Sequence, residues 1–232
     1  MKNRGNMIFA MVLALITIAV IALMVIFNQK DDQSDNTAST TNGETSTDYS
    51  KIDVKGQPML GEEDAPVTLI EFGDYKCPAC KFFDMEIQPK LVEKYVDNGD
   101  LKMYFINTPF HGNESLIGSH AAEAVLKSEP TKYWDFHNAL FEAQPNTDTS
   151  STDNWLTVDV VKKAAKQADI KDVDQVVTAA EDKTESAAVE KDINLYQTYQ
   201  VNETPTIIIN GKKVSDQLNI KSLEQAIEDA KK

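Results

Sequence analysis

The residues from Val67 to Cys80 read Val-Thr-Leu-Ile-Glu-Phe-Gly-Asp-Tyr-Lys-Cys-Pro-Ala-Cys, an apolar run that ends in two closely spaced cysteines. Cys77 and Cys80 are the only cysteines in the chain. A four-ligand zinc knuckle would need a second pair. The apolar run predicts a buried strand, and the residues after Cys80 predict a helix. The cysteines are therefore expected at a helix N-terminus, which favours a thiolate and indicates a redox-active pair.

The overall charge narrows the functional classes. The chain has 232 residues, with 37 acidic and 23 basic side chains and a formal net charge of −14. Nucleic-acid binding requires a basic surface, so this class is disfavoured. Hydrophobic side chains make up 41% of the sequence, which suffices for one globular domain with an appendage or for two small domains.

The N-terminal appendage has the pattern of a membrane anchor. Residues 7–27 form an uninterrupted apolar run after Lys2 and Arg4. The run is long enough to cross a bilayer and longer than the apolar part of a cleaved signal peptide. We interpret it as an uncleaved signal anchor, with residues 1–6 in the cytoplasm and everything after it outside; a buried core helix is the alternative. Residues 28–55, rich in Ser, Thr, Asn and Asp, predict a flexible linker.

Beyond the linker the pattern is mixed α/β. Strands are predicted over Val67–Phe72 and Leu101–Asn107, joined by a helix over Lys81–Val96 that Pro89 should kink. Strand, helix and strand would form a βαβ unit with parallel strands. Helical spacing then continues without a convincing strand, in the segments His120–Leu126, Tyr133–Phe141, Val158–Ala168, Val173–Ala180 and Glu185–Tyr199.

Strand signals return near the C-terminus. Thr206–Ile209 is β-branched throughout, Asn210-Gly211 predicts a two-residue hairpin turn, and residues 212–214 predict the return strand before a final helix. The chain between Cys80 and Pro205 far exceeds the roughly 30 residues of a whole βαβ unit. We therefore assign residues 56–112 and 200–232 to a sheet-forming domain and residues 113–199 to an inserted helical domain.

Three stretches together resemble the DsbA-like branch of the thioredoxin-fold thiol–disulfide oxidoreductases. They are Glu71-Phe72-Gly73-Asp74-Tyr75-Lys76-Cys77-Pro78-Ala79-Cys80, Tyr133-Trp134-Asp135-Phe136-His137-Asn138-Ala139-Leu140-Phe141 and Thr204-Pro205-Thr206. Within that branch the sequence is most similar to the membrane-anchored BdbD-type proteins of Gram-positive bacteria, as Phe110-His111-Gly112 also indicates. The resemblance implies a thioredoxin fold with a large helical domain inserted before a strand that begins with a cis-proline.

The cysteine pair is the predicted catalytic centre. Cys77 should lie exposed at the first helical turn, where backbone N–H groups lower its pKa and make it the attacking nucleophile. Cys80 should be more buried and act as the resolving thiol; a static structural disulfide is the alternative. Ala79 has no side-chain donor where the DsbA sequence has histidine. We therefore expect a less oxidising site than DsbA, with a potential still above the roughly −270 mV of thioredoxin.

Three further residues are expected to serve the pair. Glu71 is a carboxylate in an apolar strand, so burial should raise its pKa; the alternative is an exposed face of an edge strand. The resemblance gives Glu71 a role in relaying protons to and from the resolving thiol. It also makes Pro205 a cis-proline facing the cysteines and gives the Thr204 backbone a role in pairing with the substrate chain. Pro78 and Ala79 complete the predicted substrate-binding surface.

A metal role has weak support in the sequence itself. The chain has three histidines, none at metal-ligand spacing, and His137 is expected to pack among aromatic residues. The resemblance implies a structural Ca²⁺ held by Gln57, Glu123 and Asp192, although their spacing alone would indicate solvated polar residues. Catalysis itself is expected to need no cofactor.

The leading functional hypothesis is an extracytoplasmic thiol oxidase that passes its disulfide to reduced exported proteins. The resemblance implies reoxidation by a DsbB-like, quinone-linked membrane oxidase, and the chain is expected to be a monomer. Two alternatives stay open: a reductase or isomerase, for example in cytochrome maturation, and a non-redox chaperone or binding module. The redox potential separates the first alternative from the oxidase, and a functional Cys77→Ser variant would favour the second.

Overall fold

The computed structural model describes residues 47–232, and these form a five-stranded mixed sheet with helices on both faces. The strands are β1 (Met59–Leu60), β2 (Val67–Gly73), β3 (Leu101–Asn107), β4 (Thr206–Ile209) and β5 (Lys212–Lys213). Helix α1 is the continuous run Pro78–Phe82, Phe83–Ile87, Gln88–Leu91 and Val92–Val96; the others are α2 (Asn113–Ser128), α3 (Tyr133–Ala143), α4 (Val158–Gln167), α5 (Val173–Asp182), α6 (Ser186–Thr198) and α7 (Ile220–Ala230).

The predicted βαβ unit is confirmed. Strands β2 and β3 pair in parallel, and α1 connects them. The sheet order is β1-β3-β2-β4-β5, so β2 is the central strand, and β4 pairs with it in antiparallel orientation. Strand β1 was not predicted. This strand has only two residues, too few to show the alternation by which a strand is recognised.

Helix α1 begins earlier than predicted and is not uniform. It starts at Pro78, with Cys77 as its N-cap, whereas the prediction began at Lys81. Pro89 lies between two π-helical turns, Phe83–Ile87 and Val92–Val96. Proline has no N–H to donate and its ring crowds the preceding turn. A wider turn accommodates both effects while the chain stays helical.

Inserted helices α2 to α5 pack together as one layer, whereas α6 lies on the opposite face of the sheet. Helices α2 to α6 all lie in the chain between β3 and β4; the bounds of α3 to α6 agree closely with four predicted segments, whereas α2 begins seven residues before the predicted His120. The apolar faces of α2 to α5 meet Phe105 of β3 and Tyr75 of the loop after β2 in one buried cluster that also contains both cysteines. The helical layer therefore forms part of the wall of the cysteine site.

The N-terminal end of the described chain packs on the opposite face of the sheet. Ile70 and Phe72 of β2 lie there beneath α6 and beneath Tyr49, Ile52 and Val54. These last three residues belong to the segment predicted as a flexible linker, so the folded part includes residues that the prediction had placed outside it. The loss of chain entropy on ordering them is offset by burial of their apolar side chains.

The C-terminal hairpin agrees with its prediction. Asn210 and Gly211 connect β4 and β5 with φ of +43° and +79°, the positive values that this tight turn requires. The return strand is shorter than predicted and comprises Lys212–Lys213. Across residues 47–232, no helix is long and apolar enough to cross a membrane. The predicted anchor, residues 7–27, lies outside the described residues.

Candidate active site

The two cysteines lie at the N-terminus of α1, where the carboxyl end of the central strand meets the helical layer. Both are free thiols in the structure. Cys80 is fully buried, as predicted for a resolving thiol, but Cys77 has only 7% of its surface exposed. The expectation of an exposed Cys77 was wrong, because the chain segment carrying Thr204 covers it: Cys77 Sγ lies 3.2 Å from the Thr204 carbonyl oxygen.

The surroundings of Cys77 favour its thiolate. Its pKa is lowered to about 6. The largest cause is a hydrogen bond from the Cys80 thiol, followed by hydrogen bonding with the Thr204 side chain and by the backbone amides of Cys80 and Ala79; burial opposes them. Cys77 is the helix N-cap, so its sulfur lies at the end of the helix where the backbone amides of the first turn are free, and Pro78 at the next position has no N–H.

Cys80 has the opposite character. Burial raises the pKa of its thiol well above the ordinary value, and the neighbouring Cys77 and Glu71 raise it further. The Asp74 amide, 3.4 Å from the Cys80 sulfur, opposes the shift. The pair therefore consists of one acidic thiol that serves as nucleophile and leaving group and one buried thiol that needs a proton when it is released.

Glu71 lies on the central strand and is 2% exposed, so the edge-strand alternative is excluded. Its neighbours across the sheet are the apolar Phe105 and Ile207. Burial raises the pKa of its carboxyl well above the ordinary value, and the charges of Asp84 and Cys77 add to this. Gly73 keeps the space open, because a Cβ there would lie 2.9 Å from Glu71 Oε1 and would collide with the Phe105 ring.

A fully buried polar chain lies next to Glu71, and sequence reasoning missed it. Asp84 Oδ1 lies 2.9 Å from His137 Nε2 and 2.9 Å from Gln88 Nε2. His137 Nδ1 lies 3.0 Å from the Tyr75 hydroxyl, which in turn lies 3.4 Å from the Tyr133 hydroxyl. His137 does pack among aromatic rings as predicted, but both of its ring nitrogens are also engaged.

A second missed cluster fixes the loop before Cys77. The buried carboxylate of Asp74 accepts hydrogen bonds from the amides of Lys76, Phe110 and His111 and from the Ser115 hydroxyl, at 2.8–3.2 Å. Asp74 Oδ2 also lies 2.7 Å from His111 Nδ1, and this contact raises the pKa of His111. The Asp74 carbonyl accepts from the Cys77 amide at 2.9 Å. Asp74 thus ties the cysteine turn to the start of α2.

Lys76, the residue before Cys77, is a buried lysine. It is 2% exposed, and its ammonium lies 3.2 Å from Glu114 and 3.0 Å from the Asp153 carbonyl oxygen. Glu114 in turn accepts from the amides of Trp155 and Leu156. The pair therefore fastens the segment before α4 to the residue preceding Cys77, instead of adding a free positive charge.

The predicted substrate-binding residues lie together around Cys77. The Thr204–Pro205 peptide bond is cis, as predicted, and it precedes β4. Thr204 is half-buried, Pro78 is exposed and Ala79 is half-buried. The Thr204 carbonyl oxygen lies against Cys77, Pro78 and Ala79 follow Cys77 directly in the chain, and Pro205 is buried.

Gln57, Glu123 and Asp192, the residues predicted to hold a cation, also come together. Gln57 Nε2 donates to Asp192 Oδ1 at 2.5 Å, and Asn107 Nδ2 donates to both carboxylates at 2.8 Å. Burial raises the pKa of Glu123 to about 8 and that of Asp192 to about 6. Within residues 47–232 there is no group of three or more His, Cys, Asp and Glu side chains that could hold a metal ion. A cation bound here would therefore need the side-chain amide oxygens of Gln57 and Asn107 as ligands in addition to the two carboxylates.

Comparison with known proteins identifies the family of this chain. The family model described as Thioredoxin matches residues 53–229. Disulfide bond formation protein D of Bacillus subtilis (strain 168) is 39% identical over 175 residues, which cover 75% of this chain and 77% of that protein. The chain belongs to the disulfide bond formation protein D (BdbD) family.

Further relatives agree with membership of the BdbD family. A probable disulfide bond formation protein D of Bacillus cereus is 33% identical over 215 residues, covering 92% of this chain and 90% of the relative. The crystal structure of oxidised BdbD from Bacillus subtilis aligns with a TM-score of 0.73 at 38% identity, covering 77% of this chain and 95% of that one. With Cys77 and Cys80 placed as described, the chain is a thiol–disulfide oxidoreductase.

Proposed function

We propose that this enzyme works in the oxidising direction and donates its Cys77–Cys80 disulfide to reduced exported proteins. The observation that carries this proposal is the acidity of Cys77, whose pKa is about 6. A thiol of this acidity is mostly thiolate at neutral pH, which stabilises the reduced enzyme. Stabilising the reduced form makes the disulfide a stronger oxidant.

The exchange begins when a substrate thiolate attacks the Cys77 sulfur. The Cys77–Cys80 bond breaks, its electron pair goes to Cys80, and a proton is needed there because the buried Cys80 disfavours a thiolate. Glu71, a buried carboxyl with a raised pKa, is the proposed donor of that proton. A second substrate thiolate then attacks the mixed disulfide, and Cys77 leaves as the more stable thiolate.

Substrate recognition is proposed to use the backbone at Thr204. Its carbonyl oxygen lies 3.2 Å from the Cys77 sulfur, so a chain held there would lie beside the reacting atom. Pairing through backbone groups places few demands on the substrate side chains, which suits a broad set of clients. Pro78 and Ala79 would contact the residues that flank the substrate cysteine.

Two measurements test whether the enzyme oxidises its substrates. Equilibration with glutathione buffers should give a potential above the roughly −270 mV of thioredoxin; a value at or below it favours the reductase or isomerase. In cells, Cys80→Ser should accumulate mixed disulfides with exported proteins through Cys77. The matched control is the double variant Cys77→Ser, Cys80→Ser, which should trap none. Trapping that persists in this control would contradict the assigned roles.

A structural Ca²⁺ is proposed for the cluster of Gln57, Asn107, Glu123 and Asp192. All four side chains are buried, and Gln57 Oε1 and Asn107 Oδ1 have no hydrogen-bond partner among the protein atoms of residues 47–232. Two carboxylates and two amide oxygens form a hard oxygen set of the kind that Ca²⁺ takes. A bound ion would offset the charge of the two acids, whose raised pKa values indicate that neither is neutralised by its protein neighbours.

Thermal unfolding of the full chain tests whether Ca²⁺ binds to this cluster. Ca²⁺ at about 100 times its dissociation constant should stabilise the fold by about 2.7 kcal/mol, and chelation should reverse this. Glu123→Gln should abolish the response, whereas the exposed acid Asp229 can be changed to Asn without affecting it. Identical melting temperatures with chelator and with excess Ca²⁺ would count against the ion.

The location and the recycling partner complete the proposal. The apolar run over residues 7–27, with Lys2 and Arg4 before it, supports a single-pass anchor that leaves the cysteines outside the cytoplasm, where disulfides persist. A tethered enzyme would meet a DsbB-like membrane oxidase at high effective concentration. Membrane fractionation with protease added from outside tests the topology, and a soluble or protected chain would contradict it.

A further inference from the structure

A small cavity begins at the residue that follows Cys77. The segment after α3, residues 144–148 and 150, lines one side of it, and the other side consists of the α1 residues Pro78, Lys81, Phe82, Met85 and Glu86. The cavity has a volume of about 260 Å³, far more than the roughly 15 Å³ that one water molecule needs. Pro78 is bonded to Cys77, and the Cα atoms of consecutive residues are about 3.8 Å apart. A chain joined to Cys77 therefore passes close to this cavity.

The wall that α1 contributes is largely apolar. Phe82 is 47% exposed, more than any other large hydrophobic side chain among residues 47–232. Pro78 is also exposed and precedes Phe82 by four residues, so the two side chains are neighbours on one face of the helix. Met85 and Pro145 are half-buried at the same cavity. A ligand that covered these side chains would remove apolar surface from water, which stabilises a complex.

Two buried polar side chains on the other side of the cavity have atoms without a partner. Gln144 and Ser150 are 2% and 1% exposed. Gln144 Nε2 donates to the Tyr75 carbonyl oxygen at 3.1 Å, and because a carbonyl only accepts, this contact fixes which end of the amide is Oε1. Neither Gln144 Oε1 nor Ser150 Oγ has a hydrogen-bond partner within the described part of the chain. Buried polar groups are normally paired, so these two indicate a site for a hydrogen-bonding molecule.

The cavity is already formed in the free protein. The Lys81 ammonium donates to the Gln144 carbonyl oxygen and, at 2.7 Å, to Asn146 Oδ1, which holds the start of the segment against α1. At its other end Trp155 Nε1 donates to the Ser150 carbonyl oxygen at 2.7 Å. Because both walls are fixed in advance, little ordering entropy opposes binding.

We propose that this cavity binds an aromatic side chain with a hydrogen-bond donor, tyrosine or tryptophan, located near the reacting cysteine of the substrate polypeptide. The inference rests on the proposed function, in which that cysteine is joined to Cys77 in a mixed disulfide. An extended chain advances about 3.3 Å per residue, so a side chain one to three residues from the substrate cysteine reaches the cavity. Its ring would pack on Phe82 and Met85, and its O–H or N–H would donate to Gln144 Oε1 or Ser150 Oγ. Recognition then combines backbone pairing with a preference for one kind of neighbouring side chain.

The test measures how strongly different peptides hold Cys77 in a mixed disulfide. The full-length Cys80→Ser chain, in detergent and with glutathione on Cys77, is equilibrated with single-cysteine peptides; each exchange places the peptide on Cys77 and releases reduced glutathione. The peptides carry tyrosine, phenylalanine or alanine at one of the three positions before or after the cysteine, and intact mass gives the exchange constants. At one position or more, tyrosine should exceed alanine by about tenfold or more and phenylalanine by about three- to tenfold. Equal constants for tyrosine and alanine at all positions overturn the proposal, whereas exchange with none of the peptides contradicts the proposed function instead.

Two variants on the same background locate the preference in the cavity. Phe82→Ala removes the apolar wall and should lower the preference for tyrosine over alanine by about fivefold or more. Its control is Leu218→Ala, which shortens another exposed hydrophobic side chain, 38% exposed and outside the cavity, and should keep the preference. Ser150→Ala removes one unpartnered hydroxyl and should at least roughly halve the ratio of tyrosine to phenylalanine; it serves if Phe82→Ala fails to fold. Preferences that neither variant changes overturn the proposal.

Discussion

At the residue scale, the acidity of Cys77 depends most on the thiol beside it. The hydrogen bond from Cys80 is the largest cause of the lowered pKa. Cys80→Ala removes that donor and should raise the Cys77 pKa from about 6 towards the ordinary thiol value. Cys80→Ser is the matched control, because its hydroxyl can still donate. Far-ultraviolet absorbance of the thiolate against pH measures both, and identical titrations would contradict the assigned cause.

The contribution of Thr204 to the redox potential has an upper limit that follows from the Cys77 pKa. A Cys77 pKa of about 6 gives roughly ten thiolates per thiol at pH 7, which stabilises the reduced form by about 1.4 kcal/mol, or about 30 mV. Thr204→Val removes one contributor and should therefore lower the potential by less than about 30 mV. The control is Thr206→Val, whose hydroxyl donates to the Glu203 carbonyl instead. A higher potential in Thr204→Val would contradict this account.

The site residues that could be predicted are those that belong to a recognisable pattern within a short stretch of sequence. The cysteine spacing, the carboxylate inside an apolar strand and Thr204-Pro205 before a β-branched run are all visible in short stretches. Asp84 with His137, and Asp74 with His111, are not, because each pair is separated by 53 or 37 residues and meets only in the fold. The burial of Lys76 was missed for the same reason.

At the element scale, Asp74 joins the end of β2 to the start of α2. Its carboxylate accepts from two backbone amides, a hydroxyl and an imidazole around residues 110–115. Asp74→Asn removes the charge and turns an amide towards donors, so the free energy of unfolding should fall by about 2–4 kcal/mol. Ser115→Ala, which removes one donor, should cost about 1 kcal/mol. Urea unfolding measures both, and equal losses would show that the carboxylate is not the centre of this contact.

Helices and strands were predicted well where they are long enough to show a hydrophobic period. The five inserted helices and strands β2, β3 and β4 follow from spacing, whereas β1 is too short to have a period. The effect of Pro89 was predicted as a kink, and the structure has π turns on both sides of it. The choice between bending and widening depends on packing against the sheet and α3, which the sequence of α1 alone does not contain.

At the scale of the whole molecule, the redox state should change the pH dependence of stability. In the reduced protein, Cys77 has a folded pKa of about 6, below the unfolded value of about 8.5. Its contribution is fully present above the unfolded pKa and is lost as pH falls through about 6. Burial raises the pKa values of Glu71 and Asp84, and this effect acts in the opposite direction in both redox states.

The difference in unfolding free energy, reduced minus oxidised, should therefore rise between about pH 6 and about pH 8.5, by up to about 3 kcal/mol. Urea unfolding of both redox forms across this window measures it. Folding and oxidation form a closed thermodynamic cycle. The same free-energy difference therefore measures how strongly the folded protein, compared with the unfolded chain, favours the dithiol over the disulfide. A difference that stays flat across the window would show that the fold does not stabilise the Cys77 thiolate, and the oxidising direction would lose its physical basis.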